Sequence, residues 1–237
     1  MSTIEDRFNI EVMYGLRNEG WGGAVNKVLD TKRWCHGDIL AVSAHDAILT
    51  KYDRQIVEKE FSDVSTVFLS PNYPRPERCY YSVARGFRCH FQKASNRSEV
   101  AVGHATLCFF RAQVINKLRY DENFFIYGCE SEIFLRAHDL GYKTIMTDQI
   151  IVSNPSTDSG SEFRELAFSI NSLYLSRLRG GRVGYTIRLG VMFISLFRAR
   201  NIRQRVIVFA KIRGILFSLR SGGAGFREYL RQHDYTS

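Results

Sequence analysis

No apolar run in this chain is long enough to cross a bilayer. The longest uncharged one, Leu189 to Phe197, is bounded by Arg188 and Arg198, far short of the roughly 18 to 20 residues that a spanning helix needs. Met1 to Asn9 is charged and polar and has none of the form of a secretory leader. Cysteine is scarce and scattered. Cys35, Cys79, Cys89, Cys108 and Cys129 are odd in number and form no Cys-x-x-Cys pair, which argues against a disulfide framework or a zinc site and for reduced, cytosolic thiols. Of only four prolines, Pro71, Pro74 and Pro76 crowd one segment that continues through Arg75, Arg78, Tyr80, Tyr81, Arg85 and Arg88. That segment reads as an excursion from a sheet. No internal repeat, low-complexity tract, dinucleotide fingerprint or P-loop is present.

Acidic residues are nearly missing from one end. From Arg177 onward, thirteen Lys and Arg face only Glu228 and Asp234. This local balance of +11 exceeds the +9 of the whole chain, so the first 176 residues carry −2. What remains is the composition of a globular protein: 45% hydrophobic and 13% aromatic residues exclude wholesale disorder. A mean hydropathy of −0.20 excludes a polytopic membrane protein.

Short apolar segments rich in β-branched and aromatic residues predict strands at Phe8 to Tyr14, Asp38 to Ser43, Ser65 to Leu69, Val100 to Ala105 and Thr144 to Met146. Helical spacing predicts helices at Gly23 to Leu29, Tyr52 to Phe61, Arg111 to Leu118 and Glu130 to Leu140. The alternation is that of an α/β domain. The serine-, proline- and glycine-bearing stretch Ser153 to Ser161 is the expected boundary, giving a domain at 1–160 and a basic tail at 161–237. In the tail, Glu162 to Leu178, Gly184 to Arg198 and Gln204 to Leu219 alternate apolar patches with arginines at helical spacing. Two arrangements fit: helices lying in a membrane interface, with Phe193, Leu196, Ile207 and Phe217 entering the acyl boundary, or a bundle packed on the sheet with solvated arginines outside. The lopsided charge favours the membrane surface.

Three clusters could carry chemistry. Asn18-Glu19-Gly20-Trp21-Gly22-Gly23-Ala24-Val25-Asn26 opens a helix with glycines that let backbone N–H groups approach an anion, or that simply make a tight turn. Asp38 to Asp46 is an apolar strand ending in Ser43-Ala44-His45-Asp46, where Asp46 is either a helix cap or an oxygen ligand for Mg²⁺ or Mn²⁺. Tyr120 to Glu132 leads an aromatic cluster into Glu130 at a helix start, followed by Arg136, Gly141 and Tyr142. Glu132 stands four residues before Arg136, an ordinary ion-pair spacing. His104, in Val102-Gly103-His104-Ala105, is either a core histidine or a residue that touches a ligand.

These clusters, in this order over residues 9 to 150, resemble family 2 glycosyltransferases, and the basic amphipathic tail resembles rhamnosyltransferase-like members. The resemblance implies an α/β, GT-A-like (Rossmann-like) mixed sheet with a C-terminal amphipathic helical tail. It implies that Gly20, Trp21, Gly22, Gly23 and Asn26 bind a nucleoside-diphosphate sugar, that Asp46 holds the divalent metal and that Glu130 is the catalytic base. Glu132, His45 and His104 are further candidates. Several positions depart from the family: Trp21 stands for phenylalanine, Val25 for arginine, Ala44 and Cys129 for acids, and Asn154 for a histidine. Relative to the family two βα units are absent before Phe8, about 60 residues at roughly 30 each, so an N-terminally incomplete sheet is expected. No Gln-x-x-Arg-Trp motif occurs, which favours a non-processive enzyme.

The expected activity is inverting transfer of one sugar to a lipid-linked or surface glycan acceptor, by a protein peripheral on the cytoplasmic face of an anionic membrane. The rival is a non-catalytic remnant acting as a membrane-surface scaffold. Nucleic-acid binding lacks any recognition motif.

Overall fold

The computed structural model describes residues 19–31, 33–44, 47–72, 77–82, 86–91, 97–103, 106–153, 162–196, 202–222 and 225–233. The expected strand at Phe8 to Tyr14 lies outside them. Helix α1 (Gly20–Asp30) comes first, then strands β1 (Ile39–Ser43) and β2 (Ile48–Lys51). Helix α2 (Arg54–Ser62) follows, its first turn capped by the Asp53 carboxylate, which accepts from the Gln55 N–H at 2.8 Å. Next are β3 (Thr66–Asn72), β4 (Glu77–Ser82), β5 (Gly86–Phe91), β6 (Arg97–Val100) and β7 (Leu107–Arg111). Helices α3 (Ala112–Leu118) and α4 (Cys129–Asp139) lead to β8 (Lys143–Ser153), and the chain closes with α5 (Glu162–Leu196), α6 (Ile202–Ser221) and α7 (Phe226–His233).

The main sheet runs β1-β7-β3-β8-β2, with β6 also paired to β8. Strand β7 is antiparallel to both β1 and β3, while β3 and β8 are parallel. Strands β1, β3 and β8 therefore point the same way, and the sheet is mixed. The strand expected at Val100 to Ala105 sits earlier, at Arg97–Val100, with only a bridge at Val102. The proline-bearing excursion carries the two-stranded sheet β4-β5, whose register sets Cys79 opposite Cys89.

Alternation along the strands makes two cores. On β7, Cys108 and Phe110 face the cluster formed with α1, α3 and α4, through Leu29, Ile115, Ile133 and Phe134. Leu107 and Phe109 face the other, formed with Val57 and Phe61 of α2. That is the period-two geometry of a strand buried on both faces. Arg111, at the end of β7, is itself buried. Its guanidinium sits over the Phe61 ring and donates to the carbonyls of Phe61, Asp63 and Thr66, tying α2 to the sheet.

The basic tail is helical, as expected, and it is also packed. Gly181, with φ 58° and ψ −149°, breaks α5 into two helices. Leu175 of α5 belongs to the same apolar cluster as Phe68 and Phe110 of the sheet. Leu166, Ala167 and Ile170 join Ala210, Phe217, Phe226 and Tyr229 of α6 and α7 around Phe125. Phe217, expected to enter a membrane, is instead buried in this cluster. Its ring meets that of Tyr229 edge-on at 5.0 Å. Phe193 is exposed, and the side chains of Leu196 and Ile207 lie outside those described.

Candidate active site

Glu130 lies where the sequence put it, in the first turn of α4. Gly128 precedes the helix with φ +109°, a left-handed conformation that favours glycine. The Gly128 N–H donates to the Glu130 carboxylate at 3.2 Å. Helix α4 leads through the Gly141 turn into β8, so its N-terminus lies at the edge where β1 and β3 end. In an open α/β sheet the carboxyl ends of the strands are the place for a ligand crevice. Beside Glu130 are two buried groups. Burial first, and the neighbouring Glu130 charge second, push the Cys129 thiol well above its usual range. Burial likewise raises the Tyr120 phenol, with Cys129 and Glu130 adding to the effect. Cys129 therefore adds no second negative charge beside Glu130.

The glycine element at α1 packs closely against the loop 120–128. Gly20 adopts φ +72°, and a Cβ there would stand 2.2 Å from the Phe125 carbonyl oxygen. The Trp21 N–H donates to that same oxygen at 3.1 Å. At Gly22 a Cβ would meet the Tyr120 Cβ at 2.9 Å. The glycines let α1 press onto the loop 120–128 that carries Glu130. Asn26 completes the seam: its amide donates to the Tyr120 carbonyl at 3.0 Å and to Glu122 at 3.1 Å, and its oxygen accepts from the Tyr120 N–H at 2.9 Å. Gly20, Gly22 and Asn26 thus position the loop that leads to Glu130.

Glu132 is buried and pairs with Arg136 in two 2.9 Å bonds. Arg136 also donates to the carbonyls of Leu118 and Arg119. Burial raises the Glu132 pKa and the Arg136 pair opposes the rise. Both residues line an open cleft of ≈ 450 Å³ together with Arg119, Asp121, Asp139 and Arg179. Glu130 is not in it, because residues two apart on a helix point about 200° apart. The cleft's arginines are engaged: Arg179 grips Asp139, and Arg119 reaches Asp30 and the Asn26 carbonyl.

Sequence reasoning missed α7. Arg227 bonds Glu19 at 2.6 Å and also Glu122, tying the start of α1 to the loop 120–128. Burial alone would raise the Glu122 pKa, but the bonds from Asn26 and Arg227 bring it below the usual carboxylate value. Gly225 is pressed against Asn123, where a Cβ would stand 1.7 Å from the carbonyl oxygen. Phe226 is fully buried, with its ring stacked on Tyr229. A pairing across 208 positions leaves no local sequence signal.

His45, Asp46, His104 and Asn154 lie outside the described residues. Strand β1 ends just before Asp46, with the Ala44 N–H bonded to the Thr106 carbonyl at 2.7 Å. Topology puts that strand end on the same edge as Glu130. Among the described residues, no three His, Cys, Asp or Glu gather as a metal site. The described side chains do not by themselves form a donor set for Mg²⁺ or Mn²⁺.

The sequence matches no family model and no curated protein. Among solved structures, the fold is similar to that of GalNAc-T7, a glycosyltransferase whose crystal structure holds UDP, GalNAc and Mn²⁺. The TM-score is 0.52 at 13% identity, covering 75% of this chain and 42% of that one. The chain thus spans less than half of that neighbour's length. At this identity the likeness shows the fold alone: a GT-A-like glycosyltransferase fold.

Proposed function

We propose that this protein is an inverting, non-processive sugar transferase related to family 2 glycosyltransferases. The observation that carries the reading is the placing of Glu130, at a helix N-terminus on the edge of a GT-A-like sheet where β1 and β3 end. A nucleoside-diphosphate sugar would lie along that edge, beside the start of α1. The Glu130 carboxylate takes the proton of an acceptor hydroxyl. The acceptor oxygen then bonds to the anomeric carbon from the face opposite the diphosphate, and the bond from that carbon to the diphosphate oxygen breaks with its electron pair. Asp46 is the proposed ligand of a divalent ion, which would neutralise charge on the leaving diphosphate. The acceptor is proposed to be a lipid-linked or surface glycan precursor at the cytoplasmic membrane face, in keeping with the basic tail.

The test compares wild type with Glu130→Gln, using a panel of nucleotide sugars with Mg²⁺ or Mn²⁺ and mixed lipid-linked acceptors. A positioned general base contributes about 10²- to 10⁴-fold, so transfer should fall at least about 100-fold while donor affinity stays within about twofold. Wild-type turnover by the variant would make Glu130 structural. A second reading, a non-catalytic remnant, draws on the commitment of Asn26 to the loop 120–128. Absence of donor binding in calorimetry would select it.

A further inference from the structure

Beyond Gly181, α5 has two unlike sides. Met192 is buried, and Tyr185 and Leu189 pack with it against Leu173 and Ile215. On the opposite side Val183 is 70% exposed, Ile187 42%, Val191 36% and Ile194 59%, with Phe193 at 46% beside them. The first four are spaced i, i+4, i+8 and i+11, so they form one stripe along the helix. Over eleven rises of 1.5 Å it extends about 17 Å. No charged residue falls on it, and the exposed Arg182 flanks its start.

We propose that this stripe lies on the surface of a membrane rich in anionic lipid, with its apolar side chains at the boundary between head groups and acyl chains. The charge around it decides the partner. Between Glu165 and Glu228 the chain has twelve Lys and Arg and no Asp or Glu; Arg179, Lys211, Arg213 and Arg227 pair with carboxylates outside that segment, and the remainder keeps the segment strongly cationic. A second copy of the chain would bring an equally cationic face and be repelled. A nucleic acid would satisfy the cations but leave the stripe in water, whereas an anionic bilayer satisfies both. Among the described residues, no helix is long and apolar enough to cross a membrane, so the helix rests on the surface. The assignment agrees with the membrane-side acceptor proposed above but does not depend on catalysis.

The experiment is sedimentation of the full chain with vesicles of phosphatidylcholine alone or mixed with phosphatidylglycerol, without donor or acceptor. Wild type should bind the mixed vesicles, weaken as salt rises and keep a salt-resistant remainder. Ile187→Glu/Ile194→Glu should weaken binding at least about tenfold, and Arg182→Glu should reduce only the salt-sensitive part. Both isoleucines are exposed, so the variant should keep the wild-type circular dichroism; Ile187→Ser/Ile194→Ser provides a milder version. Equal binding by wild type and both double variants, or no binding at low salt, overturns the proposal. So does a wild-type dimer that the glutamate variant dissociates without vesicles. A protein that binds vesicles but transfers no sugar would overturn the reaction alone.

Discussion

Leu175→Ala separates a tail that merely follows the α/β domain from one that is part of it. Leu175 lies on α5, beyond the boundary expected from sequence, yet it is 1% exposed and shares a cluster with Phe68, Phe110 and Phe134. Truncating a buried leucine costs about 2–5 kcal/mol, depending on how far the site collapses. The larger version is removal of everything after residue 160. Leu166, Ile170, Leu173 and Leu175 are each no more than 4% exposed. At about 1.5–3 kcal/mol per buried side chain their loss approaches the 5–15 kcal/mol that typically holds a whole domain. The protein supplies its own reporter. Both of its tryptophans, Trp21 and Trp34, belong to the α/β part. Urea unfolding followed by tryptophan fluorescence should therefore show a single transition, shifted by about 2–5 kcal/mol in Leu175→Ala, and no cooperative transition in the chain ending at residue 160. A tryptophan transition that Leu175→Ala moves by less than about 0.5 kcal/mol, or a truncated chain that unfolds cooperatively, would refute the reasoning.

Arg136→Leu leaves Glu132 buried without its partner, at about 2–3 kcal/mol once the partial exposure of Arg136 is allowed for. A buried glutamate with a raised folded-state pKa contributes stability below its unfolded value, and that contribution is lost as pH rises through the folded value. The variant's deficit in urea midpoint should therefore shrink as pH falls from about 7 toward the usual carboxylate range, and a pH-independent deficit would show that Glu132 is not the cause. Arg227→Ala removes the cation that joins Glu19 to Glu122 and leaves Glu19 with Lys27 alone. Amide exchange should quicken over residues 120–128 while the β3 and β8 amides keep their protection, with Arg227→Lys restoring part of it. Unchanged exchange would remove α7 from the positioning of the loop.

The parts of the fold legible in sequence were those with a local signal. Helices α1 to α4 fall within three residues of their expected spans, because each has an apolar stripe and a definite start. Strand β7 was missed although all five of its residues are buried. Leu107-Cys108-Phe109-Phe110 is a continuous apolar run, and a strand covered on both faces shows no alternation to read. Strand β2 was missed for the opposite reason, being exposed along its whole length. In the tail, apolar residues alternating with arginines were correctly read as helical. That pattern does not say which apolar side meets the protein: Met192 and Phe217 face inward, and Ile187 and Ile194 face out.

The candidate site shows the same limit from another side. The glycines at the start of α1 were expected to bring backbone close to a ligand, and they do bring backbone close to something. What approaches is the Phe125 carbonyl, which leaves no room for a Cβ at Gly20. The physical property, absence of a side chain, was legible; the identity of the neighbour was not, because it is supplied from about a hundred residues away. The glycine element and the acidic element are therefore two halves of one seam. Asn26 bonds Tyr120 and Glu122, Trp21 bonds Phe125, and Arg227 closes the seam from α7. A loop held from both sides gives Glu130 a fixed place on the sheet edge, as the general-base role proposed for it requires, since misplacement by about 1 Å can cost on the order of 100-fold in rate. Gly20→Ala should consequently disturb the Glu130 loop before it disturbs any donor contact.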